Sequence, residues 1–230
     1  KFRRVLFRSF TKGEGVTFND ADKKMYYAMS RIETSMKAEE GVPVDDVKLP
    51  ENKAGATYTF DLASGVKDSK GNVINSAYVA TRTYVEPALL GKPMTADAQG
   101  NVAEVDSVAN TDNVHYSEAM RTLFIGEDSG MHVNNYVWAY NVDTKKLSRI
   151  LSVAAGAEAT GLSAVENLNG HAYITSNNQH QGEWISSQDK GLTTRLEAAA
   201  KAKWGVNKYG VANYKLENSV GYLRGLPAVK

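Results

Sequence analysis

The sequence predicts an all-β protein. Three observations lead there. Apolar runs are short and alternate or stop within a few residues, turn signals separate them, and one strand-and-turn form recurs. Gly15-Val16-Thr17-Phe18 runs into the turn Asn19-Asp20-Ala21-Asp22, and the apolar run Met25-Tyr26-Tyr27-Ala28-Met29 comes next. Ala56-Thr57-Tyr58-Thr59-Phe60-Asp61-Leu62 alternates as a half-buried strand does, and Tyr78-Val79-Ala80-Thr81 is a further candidate. Residues 120–125 form a short apolar strand, and residues 135–142 and 147–151 a hairpin whose turn we expect Asp143 to initiate. Asn169-Gly170 is a two-residue hairpin signal leading into residues 172–175.

The recurring form is a polar turn, a short apolar strand and a polar or acidic end. It occurs in Asp20 to Glu33, Ser117 to Gly130 and Glu166 to His180. Innermost strands of propeller blades have this form, with functional residues at strand ends around a central channel; so do strands of any antiparallel sheet. The stretches Glu39 to Ala54 and Glu86 to Ala109 are polar and irregular, as inserted loops are. One helix is expected late: Thr194-Arg195-Leu196-Glu197 has the form of a capping box, Leu192, Leu196, Ala200 and Trp204 share a face, and Gly205 is a stop.

Composition removes several function classes. The chain has 230 residues, 42% of them hydrophobic and 23% charged, enough to bury a sizeable core. With 27 Lys and Arg against 26 Asp and Glu, no global field draws it to nucleic acid or an anionic membrane. No apolar run approaches the ~18 residues of a spanning helix. The absence of Cys excludes disulfides, zinc thiolates, iron–sulfur clusters and a Cys nucleophile in this segment, and leaves the compartment open.

Residues 1–9, KFRRVLFRS, have no period or turn that joins them to the rest of the chain. They read as a translated adapter or unrelated leader rather than a basic strand, and are set aside from the fold. On that reading the true protein begins upstream and this chain is its C-terminal piece. Residues 10–184 are expected to form the main domain, with 185–230 as its C-terminal helix and closing strand.

Familiar catalytic motifs are missing: there is no phosphate-binding glycine loop, nucleophile elbow or paired-His zinc motif. His115, His132, His171 and His180 are scattered. What recurs is carboxylates beside Gly and Asn near strand ends: Glu14, Glu33, Asp112, Glu127, Asp128, Glu158 and Glu183. Each alone reads as a solvated turn carboxylate. Brought together they would repel and lose hydration, a cost that hard cations relieve, and Asp, Glu and Asn oxygens are the ligand set of Ca²⁺. Ferric iron is hard too. Arg31, Arg121, Arg149 and Lys12 lie near these motifs in sequence; Arg121 and Arg149 read as surface charges, while Arg31 and Lys12 divide evenly between that and phosphate contact.

Taken in order, FTKGEGVTFN (10–19), YYAMSRIETSM (26–36), NTDNV (110–114), LFIGEDSGMHVNNYVWAYN (123–141), AGAEATGL (155–162) and SNNQHQGEW (176–184) resemble the PhoX-type alkaline phosphatases, and VGYLRGLP (220–227) looks like that family's C-terminus. The resemblance implies a β-propeller with inserted loops, of which this chain would be a part, export to the bacterial periplasm or beyond by the twin-arginine route, and hydrolysis of phosphomonoesters at a calcium- and iron-bearing site. It points to Glu14, Asp112, Glu127 and Glu158 as acids facing the metals, with Asn113 as a neutral oxygen donor. Glu33, Asp128 and Glu183 are second choices, and Arg31 and His180 are candidates for contacting phosphate. The sequence has Gln181 where the family pattern has Pro, which loosens that loop. The family is also far longer, and part of its metal site, including a Cys ligand, lies outside this segment. We therefore expect this segment alone to be inactive. The expected partner is a small-molecule phosphomonoester, with no nucleic acid, no membrane span and a monomeric state. A calcium-dependent propeller lactonase or esterase, or a non-catalytic calcium-stabilised binding propeller, also fits the acidic strand ends.

Overall fold

A computed structural model of the chain describes residues 10–38, 48–182, 190–211 and 218–228. The described residues are mostly β, arranged as three antiparallel sheets, none of them closed, in a partial propeller-like arrangement. The first sheet has the order β1-β2-β3-β4, formed by Gly13–Asn19, Lys24–Met29, Ala56–Ala63 and Val79–Leu90. The second has the order β5-β6-β7-β8, formed by Thr111–Ser117, Thr122–Glu127, Asn134–Asn141 and Leu147–Ala155. The third has the order β9-β10-β11, formed by Glu158–Leu168, His171–Gln179 and Ser219–Pro227. A helix, α1, spans Lys190–Trp204. No helix among the described residues is long and apolar enough to cross a membrane.

Each sheet is an up-and-down meander, so its strands are neighbours in sequence. The first strands, β1, β5 and β9, pack side by side, with β5 touching both others. Faces of consecutive sheets then cover one another. Tyr26, Val85 and Leu89 of the first sheet meet Tyr116, Leu123, Ile125, Trp138 and Tyr140 of the second. Phe124 and Ala139, on the opposite face of the second sheet, meet Ala164, Ile174 and Leu223 of the third. That alternation along β6 (Leu123 and Ile125 one way, Phe124 the other) is the period-two pattern of a strand buried on both faces. Further out, a cavity of about 300 Å³ separates β7 and β8 from β10 and β11.

The three recurring segments are equivalent, but not as innermost strands. Each supplies the second strand of its sheet: β2, β6 and β10. The innermost positions belong to β1, β5 and β9. Asn169 (φ 53°) and Gly170 (φ 80°) make the expected left-handed two-residue hairpin between β9 and β10. The β7–β8 turn forms as expected, yet Asn141 rather than Asp143 holds it, its Oδ1 accepting from the backbone N–H of Asp143 and Thr144. The helix begins four residues before the anticipated cap, so Thr194 lies inside it. Gly205 (φ 74°) does end it, donating to the Lys201 carbonyl. Three loops share one geometry that the sequence did not reveal. In residues 68–72, 97–101 and 207–211 the first side chain accepts from the backbone N–H groups two and four positions on, with Gly fourth. Residues 1–9, Glu183 and Trp184 lie outside the described residues.

Candidate functional site

The starts of β1, β5 and β9 share one end of the molecule with the ends of β2, β6 and β10. At that end each first strand opens on the same three-residue pattern. A residue in the left-handed region comes two positions before an acid: Lys12 (φ 48°) before Glu14, Asn110 (φ 45°) before Asp112, Gly156 (φ 68°) before Glu158. β1 and β5 then carry the same bulge, between Gly13 and Val16 and between Thr111 and Val114, where each takes one more step than its partner strand. A bulge re-aims a side chain at a strand end, and here it falls at Glu14 and Asp112.

The result is a cluster of three carboxylates around one ammonium. Lys12 Nζ donates to Asp128 Oδ2 at 2.9 Å and lies 3.4 Å from Glu14 Oε1. Asp112 stands in the same field. Burial, then the charges of Glu14 and Asp128, hold its carboxyl above the usual carboxylate range, against the pull of Asn113 and Lys12. Lys12 is itself shifted upwards: burial opposes its charge, and its bond to Asp128 with the Glu14 and Asp112 charges outweighs that. Asn113 Nδ2 donates to Asp112 Oδ1, while Asn113 Oδ1 accepts from the Gly161 backbone N–H at 2.8 Å, which ties β5 to β9. On β9, Glu158 Oε1 lies 3.9 Å from His180 Nε2. Arg31 is exposed beyond the end of β2 and lies 3.9 Å from Glu33.

Close backbone approach makes this convergence possible. A Cβ on Gly15 would lie 2.6 Å from the Asp112 carbonyl oxygen, and one on Gly126 would lie 2.0 Å from the Ala159 carbonyl oxygen. Glycine is therefore required where β1 meets β5 and where β6 meets β9.

Glu127 departs from expectation. Its side chain is 0% exposed and turned into the core. Oε1 accepts from the Ala109 N–H at 2.9 Å and from Trp138 Nε1 at 2.8 Å. Oε2 accepts from the Tyr136 N–H at 3.1 Å and pairs with His132 Nδ1 at 3.0 Å. Four protein partners fill its acceptor capacity, so Glu127 is corrected from an ion-facing ligand to a core anion. Asp128, a second choice in sequence, takes its place in the cluster. Adjacent strand-end residues point opposite ways, so one of the two had to face inward. His132 and Trp138 were missed as partners of Glu127, and no spacing signal connects them.

The donors suit hard cations in chemistry, since Glu14, Asp112, Asp128 and Asn113 are all oxygen bearers. In geometry Glu14 and Asp128 flank the Lys12 ammonium, and Asp112 lies within its field. Among the described residues, no group of three or more His, Asp or Glu side chains is set to hold a metal ion. No family model matches the chain, and neither the curated proteins nor the solved structures yield a match. The resemblance to PhoX-type phosphatases therefore stands on the sequence motifs alone.

Proposed function

We propose that this chain carries the acidic side of a calcium- and iron-dependent phosphomonoesterase site of the PhoX type. The observation that carries this reading is the convergence of Glu14, Asp112 and Asp128 on Lys12, from strands about a hundred residues apart, with Asn113 bridging to β9. Folding that gathers like charges into a half-buried place incurs a cost, which a bound cation offsets. Glu14, Asp112 and Asn113 would hold an ion, with Glu158 contributed from β9. Such an ion would supply positive charge for a phosphate's oxygens and for a departing alkoxide. Arg31 and His180, at the same end, would orient phosphate by donating to its oxygens. On this reading the residues named here supply one side of the site, and turnover is a property of the whole PhoX-type site that the resemblance implies.

The test is a calorimetric titration of the 230-residue chain with calcium, then with calcium in the presence of inorganic phosphate. Saturable calcium binding that is lost in both Glu14→Gln and Asp112→Asn is expected. Absence of binding at about 10 mM calcium, an affinity weaker than about −3 kcal/mol, overturns the reading. Release of p-nitrophenol from p-nitrophenyl phosphate by the completed protein, beside a lactone control, separates phosphatase from lactonase.

A further inference from the structure

We propose that a second cavity, beside Arg149, binds a small ligand through an oxyanion group, independently of the carboxylate cluster. The cavity is about 530 Å³ and is lined by Asp97, Asn101, Asn134, Tyr136, Arg149 and Arg195, among others. Two arginine residues thus line one space, Arg149 from β8 and Arg195 from α1.

Arg149 is held in place from below. Its guanidinium carbon lies 4.6 Å from the centroid of Tyr136 and 5.9 Å from that of Trp138. Those rings stand edge to face, 5.5 Å apart at 76°, and both are buried. Glu127 fixes the pair, accepting from Trp138 Nε1 and from the Tyr136 N–H. A buried anion therefore positions two aromatic rings, and the rings position a cation at the cavity wall. A guanidinium ordered in this way offers its fork of donors with less ordering cost than a free surface arginine.

The cavity's acid, Asp97, keeps its charge in the lining but does not pair with Arg149. Asp97 commits both oxygens to its own loop: Oδ1 accepts from the N–H groups of Gln99 and Asn101, and Oδ2 from Asn101 Nδ2. The carboxylate facing Arg149 from outside is Asp106, 3.4 Å away and 88% exposed. An exposed pair of that kind is weak, so an incoming oxyanion displaces it readily. The chemistry recognised is a phosphate, sulfate or carboxylate group on a small molecule.

The experiment titrates the 230-residue chain, in metal-free buffer, with inorganic phosphate, sulfate and citrate by calorimetry. Saturable binding is expected, weakened about tenfold or more in Arg149→Gln, because a charge-assisted pair is lost. Arg149→Lys keeps the charge but not the fork, and should lie between; thermal melting confirms that both variants fold. Arg82→Gln is the control, since Arg82 also stacks on a tyrosine, 4.7 Å from the Tyr84 centroid, yet lines no part of this cavity. Preference for phosphate and sulfate assigns a tetrahedral ligand, and preference for citrate a carboxylate. The proposal is overturned if no anion binds saturably below about 10 mM, if Arg149→Gln binds as the parent does, or if Arg82→Gln weakens binding equally.

Discussion

Lys12 and Asp128 are 116 positions apart in sequence, yet the Lys12 ammonium donates to an Asp128 oxygen at 2.9 Å. That bond joins the approach to β1 with the residue after β6, so the first two sheets share one electrostatic centre. The ammonium stands where the acids would otherwise face each other. It both relieves their repulsion and competes with any cation that could replace it.

Replacing Lys12 by Met separates those two effects. The pair is partly exposed, so its loss should lower stability by only about 0.5 kcal/mol. Calcium affinity should rise several-fold, because a like charge has left the site. Urea denaturation gives the first quantity and calorimetry the second; a fall in calcium affinity would mean that Lys12 helps to build the site rather than guarding it.

Asp112 makes the cluster sensitive to pH. Its carboxyl holds a proton more tightly in the folded chain than the 3.8 expected of it unfolded, through burial and then Glu14 and Asp128. A raised carboxyl favours the folded state when protonated, so that contribution is lost as pH rises from 3.8 through the folded value. Asp112→Asn removes the titration. The variant should match or exceed the parent in melting temperature at pH 7 without added cation, and should gain less from calcium. A melting temperature well below the parent's would show that the ionised carboxylate stabilises the fold.

Strands with an apolar period were legible in the sequence, and those without one were not. β2, β3, β6, β7, β8 and β10 carry alternating or continuous apolar residues because their sheets are covered. β5 (TDNVHYS) and β9 (EATGLSAVENL) are polar at the ends that form the candidate site and were not singled out as strands, and residues 86–90, expected to open an inserted loop, are the end of β4. Close backbone approach at Gly15 and Gly126 brings β5 against β1 and β9 against β6. For the site, carboxylate chemistry beside Gly and Asn singled out Glu14 and Asp112, which meet. The same criterion could not separate Glu127 from Asp128, since only the direction of the chain at the end of β6 decides which of them enters the core.

The buried pair Glu127–His132 should dominate the stability of the second sheet. Glu127→Gln leaves His132, Trp138 and two backbone N–H groups facing an amide that cannot satisfy them all, a loss of about 3–5 kcal/mol. Burial pulls the His132 pKa down, but the Glu127 hydrogen bond and charge, with the Glu104 and Ala103 carbonyls, outweigh it, and the net shift is above 6.5. Its contribution is therefore complete below pH 6.5 and disappears as pH rises through the folded value. Urea midpoints measured from about pH 5 to 9 should fall over that window in the parent and stay flat in His132→Gln. A parent curve as flat as the variant's would mean that the imidazole stays neutral throughout.

Gly126 tests whether the site depends on contact between sheets. An alanine there would place its Cβ 2.0 Å from the Ala159 carbonyl oxygen, which belongs to backbone and cannot swing aside. β9 must then move away from β6, at a cost of about 1–3 kcal/mol, as overpacking does. Glu158 and Thr160 flank Ala159, so the shift carries Glu158 with it. Asn113 would also lose its bond from the Gly161 N–H. Gly126→Ala should therefore weaken calcium binding about tenfold while leaving the Lys12–Asp128 bond, which lies between the first two sheets, in place. Chemical shifts of the Lys12 side chain, unchanged in the variant, would show that the loss is local to β9. Calcium binding at the parent's affinity would instead place the ion wholly on β1 and β5, with no part for Glu158.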